Sequence, residues 1–200
     1  MKMTLKNACL TSCLLLSALH VGAREDHSAS AIFAGGCFWC MESDFEKVNG
    51  VTAVISGYTG GHLNNPGYRD VTRGDTGHYE AVTVHYDPAI VSYADLLTIF
   101  WANIDPLDDH GQFCDKGPSY RSAIFTLDDA QRQAAVQSRK KAQQTLGQGE
   151  KITTPIIAAT TFYPAEDYHQ DYYLKNPLRY KYYRWNCGRD ARLEELWGKP

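Results

Sequence analysis

Residues 34–43 read AGGCFWCMES, which sets two glycines, two thiols and two aromatic rings side by side. A thiol behind Gly35-Gly36 lets a substrate approach the backbone, because neither glycine puts a side chain in the way. Cys37 and Cys40 form a C-x-x-C. That spacing serves a reactive thiol with a second sulfur beside it, a disulfide pair, or half of a zinc site. Zinc would want a second pair of ligands at similar spacing, and Cys114 and Cys187 stand alone in the sequence, so no metal is expected. Glu80 is the second candidate. In HYEAVTVHYD, residues 78–87, it alternates with Val82, Val84 and Tyr86. If that side faces the core, desolvation favours the neutral carboxyl and makes Glu80 a proton donor near neutral pH. The plain alternative is a strand-end glutamate paired with Arg69, Arg73 or Arg121, and the residues alone leave the two open.

These groups need elements to hold them. AIFAGG reads as a short buried strand ending on glycines. CFWCMESDFEKV follows with Phe38, Met41, Phe45 and Val48 at helical spacing, so Cys37 falls in the first turn of a helix that Asn49-Gly50 closes. Unpaired amides and the helix dipole favour an anion there, so the Cys37 thiol is expected to ionise more readily than a free cysteine. VTAVISGY and HYEAVTVHYD read as strands, Ser92–Ile104 as a helix with a capping box, and YRSAIFTL as a strand. A polar helix then starts at Asp128 or Asp129 and runs to Leu146, and ITTPIIAATTFYPAED supplies a last strand. The order β-α-β-β-α-β-α-β predicts an α+β fold, a two-layer split βαβ (a ferredoxin-like plait) with a mixed sheet. From Tyr168 onward a short helix and an irregular C-terminal tail are expected. A Gly-, Asn- and Pro-rich loop at 59–77 is long enough to be functional, and a second loop covers 105–119. Tyr68 lies in the first, Asp115 in the second, and Tyr120 just beyond it. Composition alone cannot choose these or Tyr58 from thirteen tyrosines and the other loop residues.

Two hundred residues with a formal net charge of −3 are enough for one full core and carry no basic excess for nucleic acid. The first 23 residues place Lys2 and Lys6 before an apolar run around Leu14-Leu15-Leu16, then Val21-Gly22-Ala23, the pattern of a secretory signal cut after Ala23. The run is too short to span a bilayer, and Cys13 precedes its end, which argues against a lipid anchor. The expected organisation is therefore a signal at 1–23, a polar leader at 24–30 and one domain at 31–200, exported and periplasmic, with no stable membrane association. Export leaves Cys37, Cys40, Cys114 and Cys187 in a compartment where disulfides persist, so two structural bridges are also open.

The segments GCFWC, GYTGG, NPGYRDV, GDTGHYEAV, YRSAIF, FYPAEDYHQDYY and the NP before CG occur in this order. Together they resemble the A-type peptide methionine sulfoxide reductases over roughly residues 30–190. The resemblance implies thiol-dependent reduction of the S epimer of methionine sulfoxide, free or in oxidised proteins, as a repair reaction. It implies Cys37 as nucleophile, Glu80 as the acid that protonates the departing oxygen, and Tyr68 and Tyr120 as hydrogen-bond donors to that oxygen. Phe38 and Trp39 would hold the substrate methyl and Asp115 would orient the substrate. The Cys37 sulfenic acid would be resolved by Cys187 near the C-terminus. This chain departs from the commonest pattern by carrying Cys40 where glycine usually stands, so Cys40 is the rival resolver, and Cys114 is expected to be a free or packing thiol. No cofactor is implied; a thioredoxin-like dithiol would restore the thiols, and the enzyme is expected to be a monomer. Two other readings remain: a general C-x-x-C thiol–disulfide oxidoreductase, and a secreted binding module with two structural disulfides.

Overall fold

The computed structural model describes residues 28–147 and 149–198. The expected signal at 1–23 and the leader up to residue 27 lie outside the described residues.

The central strand β1 (Ala29–Gly35) is built of small and apolar residues, and it is buried from Ala31 onward. It pairs antiparallel with β3 (Tyr79–Tyr86) on one side and β6 (Ser122–Thr126) on the other. β2 (Val51–Thr59) joins β3, and with the short edge strands β7 (Ile156–Ala158) and β8 (Tyr163–Pro164) the six-stranded sheet runs β7-β6-β1-β3-β2-β8, with β6 and β7 parallel and the other pairs antiparallel. The mixed two-layer α+β sheet expected from the sequence is present. Strand β1 begins two residues inside the expected leader, because Ala29 and Ser30 continue the ladder opposite Tyr86 and His85.

Helices α1 (Phe38–Phe45), α3 (Tyr93–Ala102) and α4 (Asp129–Leu146) cover one face. Phe33 of β1 stacks on Phe45 of α1 and Phe100 of α3, each at 5.1 Å between ring centroids. Val82, Val84 and Tyr86 point into this core, and Glu80 shares their side of β3. The opposite face is thinner and built on Ile32, Ala34, Ala81, Ala123 and Phe125. Here the single last strand read from the sequence is corrected. Residues 156–164 make β7 (Ile156–Ala158) at one edge of the sheet and β8 (Tyr163–Pro164) at the other. The chain between them crosses the open face and lays Phe162 on it, which excludes water that one edge strand would have left there.

Both long loops carry structure. The first holds α2 (Tyr68–Arg73), where the Gly67 amide donates to Asp70 at 3.0 Å. The second holds the hairpin β4 (Gly111–Gln112) and β5 (Asp115–Lys116) and a single 3-10 turn, Pro118–Tyr120. The tail is also corrected: it is helical, as α5 (Tyr172–Lys175), α6 (Pro177–Asn186) and α7 (Arg189–Trp197). Pro177 sits in the first turn of α6, where its missing N–H is of no consequence, and Gly188 turns the chain into α7 with φ +66°. Polar anchors tie the tail down. Arg184 donates to both Asp44 oxygens at 2.9 and 3.0 Å, Arg192 to Asp105 at 2.7 Å, and the Trp197 indole to Ile104 O at 3.0 Å. A disulfide links Cys187, at the end of α6, to Cys114 in the second loop, so Cys114 is not the free or packing thiol expected. None of the described helices is long and apolar enough to cross a membrane.

Gly36 turns β1 into α1 with φ +83°, and a Cβ there would meet Gln112 Cβ at 2.6 Å. Gly188→Ala faces open space at φ +66° and is expected to destabilise by only about 1 kcal/mol, the left-handed penalty alone. Gly36→Ala adds a clash with the buried Gln112 and is expected to lose about 2–4 kcal/mol in urea unfolding.

Candidate active site

Cys37 caps α1 with non-helical backbone and is 5% exposed. The ladder brings it to Glu80. Two residues beyond the pair Phe33↔Val82, β1 has reached Gly35 and the oppositely running β3 has reached Glu80. The Phe38 amide, the first free N–H of α1, donates to Glu80 Oε2 at 3.1 Å. The Cys40 and Met41 amides donate to the Cys37 carbonyl at 3.1 and 3.4 Å. The Phe38 amide is thus spent on a carboxyl, and the Cys40 and Met41 amides make the first bonds along the helix.

That arrangement overturns the expected ionisation of Cys37. Burial pushes its pKa well up, and hydrogen bonding and charge from Cys40 and the charge of Glu80 add to this. A hydrogen bond with Tyr183 opposes the rise without reversing it. The sulfur that ionises readily is Cys40, lowered to about 7 by the hydrogen bond from Cys37 against the cost of burial. Positive charge on Arg189 and Arg184 lowers it further, and Asp44 raises it. Glu80 behaves as the alternation suggests. It is 1% exposed and raised to about 8, chiefly by burial, with Asp115 and Cys40 adding to the rise and the Phe38 amide and Tyr120 opposing it. No arginine among the described residues ion-pairs with it. Arg73 pairs with Asp70, while Arg121 lies over the Tyr79 ring and donates to Pro118 O.

A cavity of about 80 Å³, the share of two or three liquid waters, opens on Cys37 and Glu80. Phe38, Trp39, Tyr68, Asp115 and Tyr120 also line it, so seven of the residues singled out from sequence converge. Tyr68 and Tyr120 face each other and Glu80 across this cavity, and Tyr120 favours the charged form of Glu80 against burial. Cys40 lies behind Cys37, fully buried against Tyr172 and Tyr180. Cys187 is held in its bond to Cys114. Tyr58 does not line the cavity; its hydroxyl donates to Glu166 Oε2 at 2.9 Å, and Glu166 Oε1 accepts the Tyr68 amide at 2.9 Å.

Sequence reasoning misses four residues. Tyr183 of α6 completes the cavity and hydrogen-bonds Asp115. His169 accepts the Trp39 indole N–H on Nδ1 at 3.1 Å and packs on Phe38, while Tyr172 stacks flat on Trp39 at 3.6 Å. Glu166 sets the start of α2. Glu166, His169 and Tyr172 fall in the FYPAEDYHQDYY segment, so a signal exists there; Tyr183 has none.

A family model described as Peptide methionine sulfoxide reductase matches residues 29–200. The chain belongs to the peptide methionine sulfoxide reductase family. Among its relatives in that family, the peptide methionine sulfoxide reductase MsrA 2 of Caulobacter vibrioides is 57% identical over 169 residues, covering 84% of this chain and 85% of that protein. The MsrA 2 of Rhizobium meliloti is 49% identical over 189 residues, covering 94% and 91%. The solved structure of methionine sulfoxide reductase A of Corynebacterium diphtheriae superposes with a TM-score of 0.73 at 34% identity, covering 78% of each chain.

Between an ordinary carboxylate value of 4.5 and about 8, the unfolded reductase releases the Glu80 proton while the folded one keeps it. Stability therefore falls as pH rises through that window. Glu80→Gln removes this loss. Its advantage over the native chain in urea unfolding is expected to be near zero at pH 4 and to grow by up to about 1.4 kcal/mol per pH unit towards pH 8.

Proposed function

We propose that the cavity reduces the S epimer of methionine sulfoxide, free or in oxidised proteins, and that Cys37 and Glu80 carry the reaction. The supporting observation is their meeting in one small cavity, a buried thiol beside a buried carboxyl that still holds its proton. The sulfoxide oxygen sits towards Glu80, Tyr68 and Tyr120, and the methyl lies on Phe38 and Trp39. With Asp115 orienting the rest of the substrate, only one epimer presents sulfur to Cys37. The Cys37 proton passes along its hydrogen bond to Cys40, which frees the nucleophilic thiolate. That sulfur attacks the sulfoxide sulfur while Glu80 protonates the oxygen. A bond forms between Cys37 and the substrate sulfur as the protonated oxygen leaves as water. Water then attacks the Cys37 sulfur and gives up a proton, the S–S bond breaks with its electron pair passing to the substrate sulfur, and methionine leaves a sulfenic acid on Cys37.

Cys40 then resolves the sulfenic acid. It is the sulfur hydrogen-bonded to Cys37, whereas Cys187, the resolver that the resemblance implies, is already bonded to Cys114. Cys40 attacks Cys37, the S–O bond breaks, and a Cys37–Cys40 disulfide forms with release of water. A thioredoxin-like dithiol outside the cytoplasm reduces it. Export is supported by the order of Lys2, Lys6, the leucine run and Val21-Gly22-Ala23, and by an oxidised cysteine pair that such a compartment maintains. Mass spectrometry of the periplasmic chain tests this; a mature protein starting at Arg24 is expected, and one retaining Met1 in the cytoplasm would overturn it.

Purified protein with dithiothreitol is expected to reduce methionine-S-sulfoxide and spare the R epimer. Cys37→Ser abolishes this, and Glu80→Gln slows it about 10²–10⁴-fold. The native rate rises with pH as the thiol pair ionises near 7 and falls as Glu80 loses its proton near 8; Glu80→Gln loses the falling limb. Reduction of insulin disulfides with sulfoxides untouched would favour the general oxidoreductase instead. With thioredoxin as donor, Cys40→Ser is expected to stop after one methionine per enzyme, with a dimedone-reactive Cys37. Cys187→Ser is expected to keep turning over. The reverse outcome makes Cys187 the resolver.

A further inference from the structure

Arg189 opens α7 two residues after Cys187, and it is the bulkiest fully enclosed side chain among the described residues. Its guanidinium donates to Asn103 O at 2.6 Å, to Gly35 O at 3.4 Å and to Met41 Sδ at 3.4 Å, and it lies over the Phe113 ring at 4.5 Å. Its Nε has no partner. The two neighbouring tail arginines are neutralised by carboxylates: Arg184 by Asp44 and Asp190, Arg192 by Asp105 and Glu195. Arg189 makes no such ion pair among the described residues. A guanidinium cannot shed its proton, and a buried cation with only neutral partners is unfavourable. Its position beside Met41 and Gly35 brackets the turn that carries both thiols.

We propose that Arg189 is the standing counter-charge of the Cys40 thiolate, and so a positioning residue for the disulfide-forming step. The inference rests on Cys40 being the resolver. The other groups facing Cys40 cannot fill the role. Cys37 and Asp44 come from α1, and Asp44 disfavours the anion. Tyr172 on α5 and Tyr180 and Tyr183 on α6 bring no positive charge, and Arg184 is already shared between two carboxylates. Asp115 also feels the Arg189 charge, but it carries the hydrogen bond from Tyr183. In resolution the Cys40 thiolate attacks the Cys37 sulfenic sulfur, so the new S–S bond forms as the S–O bond breaks. Cys40 is oxidised, the sulfenic sulfur is reduced, and the hydroxide leaves as water after taking a proton. When a dithiol later attacks Cys37, Cys40 departs as a thiolate into the same positive field, which makes it the better leaving group.

The test uses the full mature chain, reduced and mixed with one equivalent of methionine-S-sulfoxide. Dimedone quenching and mass spectrometry then follow the sulfenic acid from pH 5.5 to 9. The native disappearance rate is expected to rise with a midpoint below that of a free cysteine. In Arg189→Met the midpoint moves up by a unit or more, and resolution at pH 7 slows roughly tenfold. Arg189→Lys, which keeps the charge, stays close to native. A rate lowered equally at every pH in Arg189→Met, with the midpoint unmoved, would make Arg189 a structural tie to Gly35 and Asn103 and overturn the proposal. Should the Met variant not fold, alkylation of Cys40 in Cys37→Ser decides. A midpoint below that of a free cysteine is expected, and one at or above it sinks the idea. Cys40→Ser separates the underlying reading, because a disulfide then mapped to Cys187 would refute Cys40 as resolver whatever Arg189 does.

Discussion

The hydrogen bond from the Phe38 amide to Glu80 joins the start of α1 to the start of β3, and the site is arranged around it. It takes the helix's free donor away from sulfur and gives it to a carboxyl that burial would otherwise leave without a partner. Burial outweighs that bond, so Glu80 stays protonated near neutral pH, and burial likewise keeps Cys37 a thiol. Burial thus sets both protonation states, in opposite senses from those an exposed helix start would produce, and the amide only moderates that of Glu80. The charge that the site does hold is moved to Cys40, deeper and next to arginine.

The aromatic wall depends on the same distribution of partners. Trp39 can lie flat on Tyr172 because His169 accepts its indole N–H, and His169 can accept because burial keeps it neutral. Glu166 meanwhile ties Tyr58 and the start of α2 to one carboxylate, which brings Tyr68 to the cavity. A second layer of side chains therefore sets the orientation of the first, and most of that layer comes from residues 166–183.

The strands and the Cys37 helix are legible in the sequence because their apolar spacing is regular, and alternation along β3 puts Glu80 on the side of Val82 and Val84, which the structure turns to the core. The ionisation of Cys37 is not legible, because position in a helix says nothing about which acceptor its amides meet. The tail defeats sequence reading for a different reason. Its aromatic and basic residues pack against one another and against α1, so α6 buries little beyond Tyr180 and shows no apolar stripe. Tyr183 and Arg189 reach the site only through tertiary packing, and the Cys114–Cys187 link spans 73 residues, a separation that no local pattern announces. Residues 156–164 resemble one strand because β-branched residues are frequent there, although two short edges and a crossing use the same residue types.

That crossing has a bearing on how the molecule comes into being. Both outermost strands are delivered by one stretch of nine residues near the end of the chain, so a nascent polypeptide exposes two unpaired margins and an uncovered face until this piece emerges. The pairing of β8 with β2 joins residues about a hundred positions apart, which makes it slow to close. The interval before closure is when chaperones would be needed most and when intermolecular pairing threatens. Afterwards each margin consists of only two or three residues, too brief to template another molecule.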